Sequence, residues 1–451
     1  MNQSKKSLKQ RSINSGIWVL SGRITSQILR LVSNLILTRL LMPEMFGVMA
    51  IVTVFMMGIS MFSDVGLQKN IVQSKRAEEK LYIDTAWTIQ IIRGFIIFGI
   101  AIIVSFFLHY LGQNSTVLTG SVYADHQLPF LLAMVSITAI ISGFNSINLL
   151  ILNRRLIIGR AVMIDLISQI CGLIFTVLAA WYWREIWTLV LGSIISATIK
   201  MLLSHHGSLG EKNQIKWDKA SVSEIINFGK WIFLSSILGF LLAQGDRILL
   251  GFWISPEMLG IYTIAFFLAT AFKGILQQII SSVFYPILSE IVRDNPSQLK
   301  HVYYRIRAKI DLLVMIIAGF MASGGEFIIN FLYDDRYSEA GWMLQVLSVS
   351  IVFLGYSLAG VCLMARGDAK SNMILTLVAT MFLYISVPFA YFYYGLYGAI
   401  IAIALNYIVD IPSTFYMMRK IHLLDIKKEF RMLPFLFIAY GIGEYAQSLF
   451  M

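Results

Sequence analysis

The chain has 451 residues, 57% of them hydrophobic and 14% charged, with a formal net charge of +11. Soluble domains average roughly 45–50% apolar and about 25% charged residues, and a water-surrounded fold of this length has too little interior to bury so much apolar surface. Apolar stretches of about 20 residues recur along the whole length, each long enough to cross a hydrocarbon core about 30 Å thick. Every backbone amide in lipid needs a partner within its own segment, so such spans must be helices. The expected class is an all-α integral membrane protein.

The first residues, MNQSKKSLKQRS, are polar and basic. The apolar run after them is too long for a secretory signal and lacks its small-residue cleavage site, so the N-terminus is expected to be retained and cytoplasmic. The first set of predicted spans runs near Ile17 to Leu37, Phe46 to Phe62, Tyr82 to Phe107, Leu128 to Leu150, Ala161 to Ala180 and Ile186 to Leu203. A polar connector, SHHGSLGEKNQIKWDKASVSE, follows. The second set runs near Trp231 to Trp253, Leu259 to Val283, Asp311 to Leu332, Met343 to Met364, Met373 to Tyr393 and Leu396 to Met417. This gives about twelve transmembrane helices, with a thirteenth span or an interfacial helix in the last residues, MLPFLFIAYGIGEYAQSLFM.

Orientation follows from Lys and Arg, which cytoplasmic loops retain. With the N-terminus inside, most of the 36 lie in cytoplasmic segments, and only Arg39, Arg184 and Arg336 fall in outer ones. The net charge then reflects this bias and the pull of anionic headgroups; no groove-reading element argues for nucleic acid. Aromatic clusters at Trp181 to Trp187 and Tyr391 to Tyr397 fall at predicted outer ends, where they are expected to anchor the spans.

The halves are copies. Shifted by 213 positions without a gap, MPEMFGVMAI (Met42 to Ile51) meets SPEMLGIYTI (Ser255 to Ile264), and Gly16 and Trp18 meet Gly229 and Trp231. Six spans separate the copies, so both enter the membrane the same way, giving two parallel six-helix lobes around an expected central cavity. The domain reading is a lobe over 1–208, a cytoplasmic connector over 209–225, a lobe over 226–418, and a basic segment with a short apolar end over 419–451.

No phosphate-binding Gly-x-x-x-x-Gly-Lys loop occurs, so no nucleotide motor is recognisable. The longest outer loop, His109 to His126, holds one acid, Asp125, and no Lys or Arg, which is thin material for an active site. Cys171 and Cys362 sit in apolar stretches as packing residues. His205, His206 and Glu211 match no ligand spacing, so neither metal nor cofactor is expected. Asn114-Ser115-Thr116 is a formal glycosylation triplet to which no role is assigned. The chain is not expected to be an enzyme.

Ionisable residues inside spans are costly and usually mark a pathway. Arg23 and Arg30, two turns apart, share one face of the first span, and Arg93 lies about three turns into the third. Asp246 and Arg247 lie deep in the seventh and Lys273 in the eighth. Adjacent helical residues point about 100° apart, so Asp246 and Arg247 need not pair with each other. Asp64, Asp165 and Asp410 lie near cytoplasmic ends, where capping, ion pairing or ion coupling would each explain them. Arg30 is midway along its span, and its repulsion with Arg23 must be offset either by internal pairing or by an anionic ligand, for which the planar guanidinium suits phosphate.

The residues resemble those of the bacterial polysaccharide (O-antigen and exopolysaccharide) flippases and exporters, within the superfamily that also holds multidrug exporters and lipid-linked murein precursor flippases. The resemblance rests on LTRLLMPEMFGVMAI between the first two spans, FSDVGLQKNIVQ closing the second, DTAWTIQIIRG opening the third and SVFYPILSEI after the eighth, in that order and spacing. It implies a V-shaped pair of lobes in the bacterial inner membrane that moves a polyprenyl-pyrophosphate-linked oligosaccharide to the outer leaflet by alternating access. It also implies cationic cavity residues at Arg23, Arg30, Arg93, Arg247 and Lys273, with a polysaccharide polymerase and a chain-length regulator as partners. A cation-coupled exporter of amphiphilic molecules and a membrane enzyme of glycan assembly are the alternatives.

Overall fold

The computed structural model describes residues 8–63, 66–114, 119–207 and 210–448, which leaves Asp64 and most of the Asn114-Ser115-Thr116 triplet outside the described residues. Helices α1 (Leu8–Leu40), α2 (Pro43–Phe62), a short α3 (Leu67–Gln73) and α4 (Lys80–Asn114) open the chain. The fourth expected span is not one rod: α5 (Leu128–Val135) and α6 (Ile137–Gly143) turn by 65° into α7 (Asn148–Arg154). Gly143 allows α6 to press on α4, where a Cβ would lie 3.2 Å from Gln90 O, and the chain bends just beyond it.

Helices α8 (Ile158–Trp183) and α9 (Trp187–Ser204) complete the first set. They cross where both are smallest. A Cβ on Gly192 would lie 1.7 Å from Thr176 Oγ1, and one on Gly172 would lie 2.6 Å from Ser196 Cβ. Small residues facing each other let two backbones approach in lipid, where packing replaces the hydrophobic effect as the associating force.

The second set begins with α10 (Lys219–Leu250) and α11 (Pro256–Ile279), which a wide π turn at Ile280–Phe284 joins to α12 (Tyr285–Asp294). Pro286 follows that turn, and its missing N–H is accommodated there. Next come α13 (Leu299–Leu332) and a tenth span broken by a tight 3₁₀ turn, Phe353–Tyr356, into α14 (Ala340–Val352) and α15 (Ser357–Ala365). The run α16 (Ala369–Leu405) is two spans, since Gly395 interrupts it with φ 66° and ψ −156°, a backbone conformation reserved for glycine. It passes into α17 (Asp410–Lys420), followed by the single turn α18 (Ile426–Glu429) and α19 (Leu433–Ser448). Each of the twelve expected spans is therefore helical.

The repeated Pro-Glu-Met segments do the same job twice. Pro43 and Pro256 are the first residues of α2 and α11, where the absent N–H costs nothing, and Glu44 and Glu257 sit in first turns that favour negative charge.

Among the described residues, eight helices, or nine with the bent pair, are long and apolar enough to cross a bilayer. Together with the large apolar side chains exposed along them, such as Ile174 at 54% and Leu178 at 58% on α8, they describe a multi-pass membrane protein whose outer surface is solvated by lipid. The repeat counterparts α1 and α10 are as long; Arg23 and Arg30 lower the hydropathy of α1, whereas Asp246 and Arg247 lie near the C-terminal end of α10.

The chain divides into two compact units, Met1–Phe240 with Gly251–Glu257, and Leu241–Leu250 with Met258–Met451. In the first unit, the connector is pinned rather than loose. The Gln214 amide donates to Asp84 Oδ1 at 3.0 Å, Lys216 N to Thr88 Oγ1 at 3.0 Å and Asp218 N to Thr85 Oγ1 at 3.1 Å, so the connector is fastened along the first turns of α4. Hydrogen bonds from the Ser221 side chain and amide hold the Asp218 carboxyl below its usual range as it caps α10. In the second unit, α19 runs parallel to α13: Gly319 meets Leu436 O and Ala439, Gly443 meets Ser323, and Gln447 Nε2 donates to Ser323 O at 2.9 Å. Its 16 residues span about 24 Å, and it lies alongside α13, which is itself long and apolar enough to cross a bilayer.

Candidate functional site

In the first unit, α1 docks on α8 through Ser15, Trp18, Gly22 and Ser26. Ser15 Oγ donates to Leu156 O at 2.7 Å, Ser26 Oγ to Gln169 Oε1 at 2.8 Å, and Gly22 and Gly159 accept Val162 and Trp18. At 100° per residue, Arg23 and Arg30 point roughly 80–100° away from that stripe. Both side chains are exposed. Among the described residues neither guanidinium has a hydrogen-bond or ion-pair partner, and Arg23 opposes the charge on Arg30. Two cations on one helix face, midway along a membrane segment, are left to be satisfied by something outside the helix.

Arg93 is placed differently. Its Nη2 donates to Ser60 O at 2.9 Å and to Ser60 Oγ at 3.2 Å, and its Nε to Ser63 Oγ at 3.3 Å, so it holds the C-terminal end of α2. Cations are favoured there by the helix dipole. Arg93 and Gln90 also line two adjoining cavities of about 290 and 280 Å³; Ser60, Thr138 and Ser142 line one, Gln68 and Lys69 the other. Asp165 is exposed and pairs with Lys200 of α9 at 2.7 Å, tying α8 to α9.

In the second unit, Asp246 is 4% exposed and accepts from Tyr262 Oη at 2.6 Å, while its Oδ1 has no hydrogen-bond partner. It lines a cavity of about 60 Å³ together with Lys273, Thr270, Ser350, Asn406 and Tyr407. Lys273 Nζ lies 3.8 Å over the Tyr407 ring, and a desolvated ammonium over an aromatic face is attracted to it. Asn406 Oδ1 and, one turn on, Asp410 Oδ1 are likewise without a hydrogen-bond partner. The structure thus brings Asp246 and Lys273 to one small cavity, walled largely by apolar side chains such as Leu242, Leu347 and Ile403. Arg247 points elsewhere: Nη1 donates to Gln244 Oε1 at 2.7 Å and the guanidinium stacks 4.7 Å over Phe266.

One charged cluster went unread in the sequence. Arg307 is 2% exposed and donates through Nε to Asp311 Oδ2 at 3.0 Å and through Nη1 to Tyr303 Oη at 2.7 Å. Its Nη1 also lies 2.6 Å from Glu429 Oε2, and its guanidinium stacks 4.1 Å over Tyr356. Tyr304 Oη donates to Glu429 Oε1 at 2.7 Å. Burial pushes the Glu429 carboxyl above its usual range. The i,i+4 spacing of Arg307 and Asp311 was available as a signal; the partner at Glu429 was not.

The sequence pattern of a family described as polysaccharide biosynthesis protein matches residues 36–342. A lipopolysaccharide biosynthesis protein of Escherichia coli, WzxC, is 22% identical over 345 residues, covering 76% of this chain and 67% of that one. Among solved structures, the lipid II flippase MurJ in an inward closed conformation superposes with a TM-score of 0.71 at 16% identity, covering 95% of this chain and 92% of its own. An inward-facing multidrug resistance transporter of the MATE family superposes at 0.66 with 14% identity, covering 90% and 98%. Both share this fold.

Proposed function

The chain belongs to the polysaccharide biosynthesis protein family, and from that membership we propose that it is a flippase for a polyprenyl-pyrophosphate-linked oligosaccharide, working by alternating access in the bacterial inner membrane with its N-terminus in the cytoplasm. The observation that carries this reading is the unpartnered pair Arg23 and Arg30 on α1. A membrane helix that keeps two bare guanidiniums is stabilised when an anion sits against them, and the pyrophosphate is the anionic part of such a substrate. The name of WzxC supports the pathway, and that of MurJ supports a lipid-linked glycan precursor as the class of cargo.

In this reading the lobes are residues 1–208 and 226–418, joined by 209–225. Arg23 and Arg30 meet the pyrophosphate; Arg93 lines the polar cavities of the first unit and Arg247 the face of α10. The acid Asp246, with Lys273 beside it, is the group whose charge changes when an ion couples to transport; Asp410 extends that acidic path, and Asp64 and Asp165 are of lesser weight. A polymerase and a chain-length regulator act on the product. The likeness to MATE transporters and the buried acid at Asp246 favour a second reading, a cation-coupled exporter of amphiphilic molecules.

The test is complementation of a deletion strain. Losing one charge-assisted contact costs about 1.5–3 kcal/mol, so Arg30→Ala is expected to reach normal membrane levels yet weaken substrate engagement roughly 10- to 150-fold, leaving surface polysaccharide nearly absent. Restored surface polysaccharide at normal expression would exclude the anion role. Efflux of a fluorescent cation from vesicles that is unaffected by Arg30→Ala would favour the exporter.

A further inference from the structure

Residues 421–432 join α17, which ends at Lys420, to α19, which begins at Leu433. Both are membrane-embedded, so the segment lies at the level of a headgroup layer. It is fixed from the inside. Leu423 is 2% exposed in the core beneath α13, and Glu429 is held by Arg307 and Tyr304. The Asp425 amide donates to Tyr304 Oη at 2.7 Å and Lys300 Nζ to Leu424 O at 3.0 Å.

The opposite face is basic and apolar. Arg419, Lys420, Lys427 and Arg431 are exposed and have no acidic partner among the described residues. Both acids of the segment are engaged, Asp425 with Lys428 at 3.3 Å and Glu429 with Arg307. Ile426 and Phe430, four residues apart around α18, are 60% and 47% exposed, and the chain then enters α19, whose Phe437 and Ile438 are 67% and 54% exposed. On a membrane helix such side chains face acyl chains. The apolar pair therefore continues a lipid-facing surface, and the four cations stand where that surface meets water.

We propose that residues 419–431 form a docking surface for anionic phospholipid of the adjoining leaflet. Arg419, Lys420, Lys427 and Arg431 meet headgroup phosphates, and Ile426 and Phe430 insert among the upper acyl carbons. A loop bathed only in water gains nothing from two large apolar side chains held outward by a buried charge pair. Because the backbone is already pinned by Arg307 and Tyr304, little ordering entropy opposes binding. The leaflet is the cytoplasmic one in the orientation proposed above, and only that assignment rests on the flippase reading.

The experiment titrates the purified full chain in detergent with phosphatidylglycerol or phosphatidylcholine and follows the thermal unfolding midpoint. Phosphatidylglycerol is expected to raise the midpoint of the unaltered protein and phosphatidylcholine to leave it, with the difference shrinking at high salt. Each basic residue near the surface contributes roughly a five-fold factor, so Lys420→Gln/Lys427→Gln/Arg431→Gln is expected to weaken the response on the order of 100-fold. Ile426→Ser/Phe430→Ser removes the insertion and weakens it as well. Lys75→Gln/Lys212→Gln/Lys219→Gln, which removes three exposed lysines from the first unit, keeps the full response. Equal effects of the two lipids, an undiminished response in the first triple variant, or equal losses in both triples would overturn the proposal. Displacement of phosphatidylglycerol by inorganic pyrophosphate would overturn it too, by making the face a site for a free phosphate group. None of these outcomes depends on transport, so a failed export assay bears on the flippase reading alone.

Discussion

Replacing Arg307 by Met leaves Asp311 and Glu429 inside the second unit with no cation. Their side chains are 4% and 0% exposed, and the guanidinium now serves both together with Tyr303. Breaking a buried ion pair by removing one partner costs about 3–5 kcal/mol, because a desolvated charge remains. Neutralising the acids as well removes that penalty, since an apolar or neutral replacement of the whole cluster is often nearly neutral. Arg307→Met alone is therefore expected to lower the temperature at which detergent-solubilised protein loses its monodisperse peak. Glu429→Gln is expected to be mild, as Tyr304 and Arg307 still have an acceptor, and Arg307→Met/Asp311→Asn/Glu429→Gln should recover most of the loss. The cluster carries one formal positive and two formal negative charges. Burial raises the folded carboxyl of Glu429 above its unfolded value of about 4.3, so the folded state holds more protons in that window and stability falls as pH rises through it. Glu429→Gln should flatten that slope. An Arg307→Met protein as stable as the parent, or a triple variant less stable than the single one, would refute the reasoning.

Gly192→Ala places a methyl group 1.7 Å from Thr176 Oγ1 and should destabilise the α8–α9 crossing by about 1–3 kcal/mol, with Thr176→Ala restoring much of the loss in the same solubilised-protein assay. Asp84→Asn weakens the acceptor of the Gln214 amide and removes the charge facing Lys80 and Lys216; trypsin should then cut the connector at Lys212 and Lys216 faster. Asp246→Asn should leave the thermal midpoint close to the parent but slow export, while Tyr262→Phe, which strips the carboxylate of its donor, should cost about 1–3 kcal/mol. If export per folded molecule is unchanged in Asp246→Asn, the acid is structural.

The spans were legible because lipid imposes a length and an apolar composition on each of them, although the helices expected from Phe46 and Leu259 begin three residues earlier, at Pro43 and Pro256, where proline suits a first helical position. The 100° between neighbouring helical residues likewise separated Asp246 from Arg247. Breaks were not legible. The bend after Gly143 and the turn at Phe353–Tyr356 lie in stretches whose mean hydropathy is that of a straight span, and they arise from what packs against them. Hydropathy alone leaves the last helix between spanning and lying flat, and its contacts with Gly319 and Ser323, which set it alongside α13, come from residues more than a hundred positions away. Partners far apart in sequence were invisible: Arg307 and Glu429 are separated by 122 positions, and the bonds by which Arg93, while lining its cavities, holds Ser60 and Ser63 reach back 33 and 30 positions.

The duplication shows how the two units diverged around the same helix. By the 213-residue offset, Arg23 and Arg30 of α1 correspond to Ser236 and Ala243 of α10, while Asp246 corresponds to Ser33. Ala243 itself lines the cavity that holds Asp246 and Lys273, so the position that carries a bare cation in one copy is emptied of side chain in the other and opens onto an acid. In α1 both charges are positive and, among the described residues, have no hydrogen-bond or ion-pair partner; in α10 an acid half satisfied by Tyr262 shares its cavity with an ammonium, and the neighbouring Arg247 is taken up by Gln244 and Phe266. Bare cations call for a ligand from outside, whereas the acid already has a donor within its own unit. In the flippase reading proposed above, the first copy would engage an anionic cargo and the second would respond to an ion or proton, a division of labour between two equivalent helices.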